Sequence, residues 1–179
     1  MYFVRLCSLI LTLSLLAGCG DNLLPSGEDQ RPPVQTGTTG PAVGQQAPVF
    51  SVADTNGNIF TLTSALANRK AIVLYFTMWC PICDAHASNL QEVIPSFPTV
   101  GFYLVDYVSG TVADARSAMI ADGFADSGFT TLADIGNHLL FGFQGTMGST
   151  VVIDSGGTIL LNEDYKDGTR LQAVLASLP

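Results

Sequence analysis

The seven residues Ala71-Ile-Val-Leu-Tyr-Phe-Thr77 are almost wholly apolar, and Cys80-Pro81-Ile82-Cys83 follows three positions after the run ends. A short, unbroken run of strand formers predicts a central β-strand covered on both faces. Pro81 suits the first position of a helix, where a missing N–H costs nothing. The spacing predicts a helix that begins beside Cys80 and runs to Val93 or Ile94, where Pro95 stops it. A buried strand that turns directly into a helix therefore carries two thiols across that junction.

The flanking chain fits one α/β domain. Pro48–Ala53 and Ile59–Leu62, joined by Asp54–Asn58, read as a hairpin, and Thr63 or Ser64 caps a short helix through Asn68. Thr99–Val108 is the next buried strand; Asp106 at its end reads first as solvated, with a place near the site as the other reading. Thr111 caps a helix to about Asp122, and Thr131–Ile135 is a weaker strand. His138–Met147 is irregular or one short helix, so His138 is expected at a loop or core edge. Thr150–Ile153 and Thr158–Asn162 flank the turn Asp154–Gly157, and a last helix spans about Gly168 to Leu178. This order predicts a central mixed sheet flanked by helices, with an extra N-terminal hairpin.

The N-terminus reads as a targeting segment. Arg5 precedes the apolar stretch Leu6–Leu16, eleven residues, too short for a membrane span of about 20. Leu16-Ala17-Gly18-Cys19 resembles the lipobox of bacterial lipoproteins, which implies a signal peptide over 1–18 and acylation of Cys19. Residues 20–46, rich in Gly, Pro, Thr and Gln, read as a flexible tether; the other reading is an extension packed on the domain. The expected domain is 47–179. Such a chain is held in the bacterial envelope by lipid and faces the periplasm or another extracytoplasmic space.

Of four cysteines, Cys7 leaves with the signal and Cys19 takes the lipid. Cys80 and Cys83 then have only each other in an oxidising compartment, unless an electron supply keeps them reduced. Fifteen acidic residues outnumber seven basic ones, which excludes nucleic acid as the natural partner. One C-x2-C pair without a second is a redox placement rather than a structural zinc site. The positive end of a helix favours a thiolate on Cys80. Cys83, one turn further on, is expected to be the buried, resolving thiol. Trp79 can shield the sulfurs and present an apolar surface.

Thr77-Met-Trp-Cys-Pro-Ile-Cys83 resembles the active site of the thioredoxin superfamily. With the hairpin, the export signal and Thr150-Val-Val-Ile-Asp-Ser-Gly-Gly-Thr-Ile159, residues 47–179 resemble its membrane-tethered TlpA/ResA-like branch. The resemblance implies a thioredoxin-like fold and a monomer. It also implies dithiol–disulfide exchange with protein substrates, fed by a membrane electron donor and needing no cofactor beyond the cysteine pair. Reduction of apocytochrome c cysteines and envelope thiol maintenance are the roles it implies.

Three positions depart from that pattern. Gly148, in Met147-Gly-Ser-Thr150, occupies the place of the family's cis-proline. A non-proline cis bond costs about 2.5–4 kcal/mol, so Gly148 is either trans or strained. Leu74 replaces thioredoxin's buried aspartate, and His86 replaces a glutamate found after the second cysteine in the tethered branch. His86 is i+3 from Cys83 and can take its proton, with a plain surface histidine as the other reading. Two further functions use the same atoms. Cys80, Cys83, His86 and Met147 form a soft ligand set suited to Cu(I) in a metallochaperone, although Met147 and Met78 are more often core or rim residues. Thr77 and Cys80 echo the Thr-x-x-Cys of peroxiredoxin-like peroxidases, for which Arg116 is the unplaced arginine.

Overall fold

The computed structural model describes residues 33–179. The signal peptide, Cys7, Cys19 and the first part of the tether lie outside the described residues. Seven strands form one sheet in the order β2-β1-β5-β4-β3-β6-β7. They are β1 Ser51–Asp54, β2 Ile59–Thr61, β3 Ala71–Thr77, β4 Val100–Asp106, β5 Thr130–Ala133, β6 Ser149–Asp154 and β7 Ile159–Asp164. The helices are α1 Leu62–Leu66, α2 Pro81–Val93, α3 Val112–Ala121, α4 His138–Gly142 and α5 Thr169–Ala176. This is the expected thioredoxin-like α/β fold.

Strand β3 runs parallel to β4 and antiparallel to β6, and all seven of its residues are buried. Alternation splits them between two cores. Ile72, Leu74 and Phe76 join Leu62 and Ala65 of α1 and Leu139 of α4 on one face. Val73 and Tyr75 join Ala87 and Leu90 of α2 and Leu171 and Leu175 of α5 on the other. Leu74, the residue in thioredoxin's aspartate position, is therefore a packing residue.

The N-terminal hairpin is not an appendage. β1 pairs antiparallel with β5, which itself pairs parallel with β4, so the hairpin extends the main sheet. Thr61, two or three positions earlier than expected, caps α1 in a reciprocal pair with Ser64. Thr111 caps α3 as predicted. Gly157 in the β6–β7 turn has φ +83°, a left-handed conformation that favours glycine.

Residues 37–46, expected as tether, are joined to the domain. Gly44 N–H donates to Ile159 O at 2.9 Å, and Ala47 N–H donates to Gly157 O at 2.8 Å. Asn162 Nδ2 donates to Pro41 O at 2.8 Å. This stretch has no apolar period because backbone and amide groups hold it, a form of order that hydropathy does not report. No helix among the described residues is long and apolar enough to cross a membrane.

Candidate active site

The end of β3 and the start of α2 place both sulfurs. Cys80 is the N-cap of α2, and its Sγ accepts the Cys83 N–H at 3.3 Å. Asp84 N–H donates to Cys80 O at 2.9 Å, closing the first turn. Cys80 and Cys83 form a disulfide with Cα atoms 5.0 Å apart. Cys83 is fully buried, whereas Cys80 is partly exposed. The helix N-terminus and the donated N–H both stabilise negative charge on Cys80 once the bond is reduced. The two cysteines thus divide into an outer, partly exposed sulfur and an inner, buried one.

Two polar anchors hold the approach to Cys80. Trp79 has φ +57°, a left-handed backbone for a bulky residue. Its N–H donates to Thr77 Oγ1 at 3.1 Å, and its indole Nε1–H donates to Asp106 Oδ2 at 2.7 Å. Asp106 is not a solvated strand end. It is wholly buried, and it also accepts from Val108 N–H at 3.0 Å, Ser109 N–H at 2.9 Å and Ser109 Oγ–H at 2.6 Å. Asp106 therefore ties the end of β4 to the residue before the reacting sulfur. The sequence ranks a solvated end above a place near the site because the main partner of Asp106 is 27 residues away. The available signal was a carboxylate closing an otherwise apolar run opposite the Trp-Cys segment.

Trp79 is half-buried and packs near Phe124, with ring centroids 6.4 Å apart, so it serves as a strut as well as a shield. The exposed apolar surface comes from its neighbours. Met78 is 43% exposed, Ile82 54% and Met147 40%. Met147 Sδ lies 3.5 Å from Cys80 Sγ. Both methionines are rim residues.

Gly148 lies on a trans backbone with φ +84°. Its N–H donates to Phe76 O at 2.9 Å, and its O accepts the Tyr165 N–H at 2.8 Å. A proline there would lack that donor and could not reach that φ, which accounts for glycine at this position.

His86 points into a small aromatic cluster. Its Nδ1 is 3.1 Å from Tyr75 Oη, and its ring centroid is 4.8 Å from that of Tyr165. Tyr75 Oη also lies 3.5 Å from Cys83 O. Burial lowers the His86 pKa from its ordinary value and raises that of Tyr75. The Tyr75 hydroxyl and His86 Nδ1 share one hydrogen bond, its direction set by the imidazole tautomer. The histidine reaches the cysteine turn through Tyr75, and it is not a bare surface residue. Next to Cys83, burial and then the charge of Asp122 raise the Asp84 pKa. One carboxyl oxygen of Asp84 is buried without a hydrogen-bond partner.

The arginines among the described residues are engaged elsewhere. Arg69 donates to Val100 O, Arg116 to Asn56 Oδ1 and Arg170 pairs with Glu163. Arg116 thus serves the β1–β2 turn. His138 sits exposed at the first position of α4, beside the buried Leu139, so it is a surface residue rather than part of the core edge.

The chain resembles several solved structures. MTB DsbF matches at 23% identity and TM-score 0.59, covering 73% of this chain and 95% of that one. A secreted disulfide oxidoreductase of Mycobacterium tuberculosis, homologous to E. coli DsbE, matches at 24% identity and TM-score 0.56, over 72% and 96% of the two chains. The peroxidoxin BcpB from Mycobacterium tuberculosis matches at 19% identity and TM-score 0.59, over 75% and 94%. At these identities the likeness establishes the thioredoxin-like fold. No curated protein sequence matches the chain. The model of the AhpC/TSA family matches residues 43–161, about two thirds of the chain and both cysteines with it, so the protein belongs to the AhpC/TSA family.

Proposed function

We propose that this protein exchanges dithiol and disulfide with cysteine pairs of other proteins. The observation that carries this reading is the disulfide at the start of α2, one sulfur reachable and one buried, beside exposed Met78, Ile82 and Met147. In the reduced form the Cys80 thiolate attacks a sulfur of the substrate disulfide. A Cys80–substrate S–S bond forms, and the substrate bond breaks to release one thiolate. Cys83 then attacks Cys80 Sγ, which re-forms the internal disulfide and releases the second substrate thiolate. Two electrons pass to the substrate, and its thiolates take up protons from solvent. A dithiol donor at the membrane returns the two electrons.

The TlpA/ResA-like resemblance and the lipobox at Cys19 support a monomer tethered outside the cytoplasm, acting on apocytochrome c cysteines or on general envelope thiols. The secreted mycobacterial oxidoreductase of like fold is consistent with that location.

A peroxidase reading has the likeness to BcpB and the Thr77/Cys80 spacing behind it. A peroxide site needs cationic or N–H donors around the attacking sulfur. Here Thr77 Oγ1 receives the Trp79 N–H, and each arginine of the described residues has another partner. Reduced protein offered insulin and hydrogen peroxide in parallel tests the choice. Oxidation of the dithiol by insulin, with peroxide giving no faster turnover than a small free dithiol, is expected. Rapid, saturable peroxide turnover would overturn the proposal.

His86 is a positioning residue in this scheme, acting on Cys83 through Tyr75. Below its depressed pKa, both ring nitrogens of His86 carry protons, and Nδ1 can only donate to Tyr75 Oη. The same burial makes stability fall as pH drops from about 6.5, the unfolded histidine value, toward the folded pKa, because the unfolded chain binds the proton first. The rate at which Cys83 resolves a mixed disulfide is therefore expected to show an inflection below about pH 6.5. His86→Gln should remove that inflection while the chain stays folded. Identical pH–rate profiles for the two proteins would strip His86 of this role.

A further inference from the structure

The sulfurs at this site number three, not two. Met147, on the turn before β6, brings Sδ within 3.5 Å of Cys80 Sγ, and Cys80 is bonded to Cys83. The exchange reaction uses only the two cysteines and leaves the thioether without a chemical task. We propose that the reduced protein binds one Cu(I) ion between Cys80, Cys83 and Met147.

The geometry already approximates such a site. With metal–sulfur bonds of about 2.3 Å, as in zinc thiolates, three sulfurs in a plane around one ion lie about 4 Å apart. The Cys80–Met147 separation needs to widen by only a few tenths of an ångström to meet that requirement. The larger movement is between the cysteines: once the disulfide is opened, their sulfurs spread from bonding distance, about 2 Å, to about 4 Å. The ligands come from two rigid elements, the start of α2 and the turn held by the Gly148–Phe76 hydrogen bond. Gly148 puts no side chain over them; a Cβ there would meet only His86 Nδ1, at 3.8 Å. The partial exposure of Cys80 and Met147 leaves an open path for the ion.

The donor set selects the metal. Thiolate and thioether sulfurs suit Cu(I), whereas zinc takes four N, S or O ligands. Among the described residues no group of three or more His, Cys, Asp and Glu is placed to hold a metal. His86 Nδ1 is engaged with Tyr75, so the third ligand is the methionine rather than the histidine.

The step is balanced without an oxidant. A dithiol donor first delivers two electrons and two protons to the disulfide. Binding then forms two copper–thiolate bonds and one copper–thioether bond and releases the two thiol protons. Copper stays Cu(I) throughout. The proposal requires that the disulfide be reducible, and it stands whether or not proteins are the natural exchange partners.

The test is anaerobic titration of the reduced full chain with Cu(I) in competition with bicinchoninate. One ion per chain is expected, with Met147→Leu weakening affinity at least tenfold and Cys80→Ser weakening it further. X-ray absorption on the copper complex of selenomethionine-labelled protein provides a readout independent of affinity. A copper–selenium distance, absent in Met147→Leu, is expected. Copper held by two sulfurs only, with affinity unchanged in Met147→Leu, would overturn the three-sulfur site. Affinity no better than that of Cys80→Ser would overturn copper binding at this pair altogether.

Discussion

Cys80→Ser is expected to lower the rate of insulin reduction by at least about a thousandfold, the scale of loss seen when a sole nucleophile is removed. Cys80 is the sulfur a partner can reach, and it caps α2 where the helix terminus and the Cys83 N–H stabilise its charge. A serine hydroxyl at the same place stays protonated at neutral pH and cannot attack a disulfide. Cys83 cannot substitute for it, because it is fully buried. The fold should persist, since this disulfide closes only a short loop and such loops constrain the unfolded chain least. Retained turnover in a folded Cys80→Ser protein would show that the outer sulfur is not the nucleophile.

The second large effect is on stability. Asp106→Ala removes the acceptor of four hydrogen bonds and leaves the Trp79 indole N–H without its partner at the rim of the core. A buried donor left unsatisfied costs about 1–3 kcal/mol, and bonds to a charged group are worth more than neutral ones. The expected loss is about 3 kcal/mol, a fall in Tm on the order of 10 °C for a domain of this size. Asp106→Asn keeps one acceptor oxygen and should fall between. Trp79 is the only tryptophan of the chain, so its fluorescence reports the change directly. Emission should shift to the red as the indole becomes wetter. Activity should fall with it, because Trp79 sets the left-handed turn that presents Cys80. Unchanged melting and emission would mean that Asp106 anchors nothing.

These two residues mark what was legible in the sequence and what was not. The unbroken apolar run of β3, the C-x2-C start of α2, the Thr111 cap and the Asp154–Gly157 turn are local signals, and each appears where the sequence predicts it. They suffice for the fold and for the outer and inner placement of the two sulfurs. Asp106 carries only an ambiguous local signal, since a carboxylate ending an apolar strand reads first as solvated until tertiary structure brings Trp79 to it. The segment 37–46 was obscured for a related reason, because backbone hydrogen bonds rather than an apolar pattern hold it to β7 and the turn before it. At Gly148 the family alignment identified the position but left its conformation open. Its left-handed φ and its hydrogen bond to Phe76 follow from packing against the end of β3.

The attack by Cys80 and the resolution by Cys83 are tested together by Cys83→Ser. Reduced Cys83→Ser protein is incubated with insulin, quenched with acid and weighed intact by mass spectrometry. The predicted result is a stable adduct of one insulin chain linked to Cys80, formed quickly and persisting until a small dithiol is added. No adduct, or an equal yield from Cys80→Ser through Cys83, would contradict the assignment of the two sulfurs.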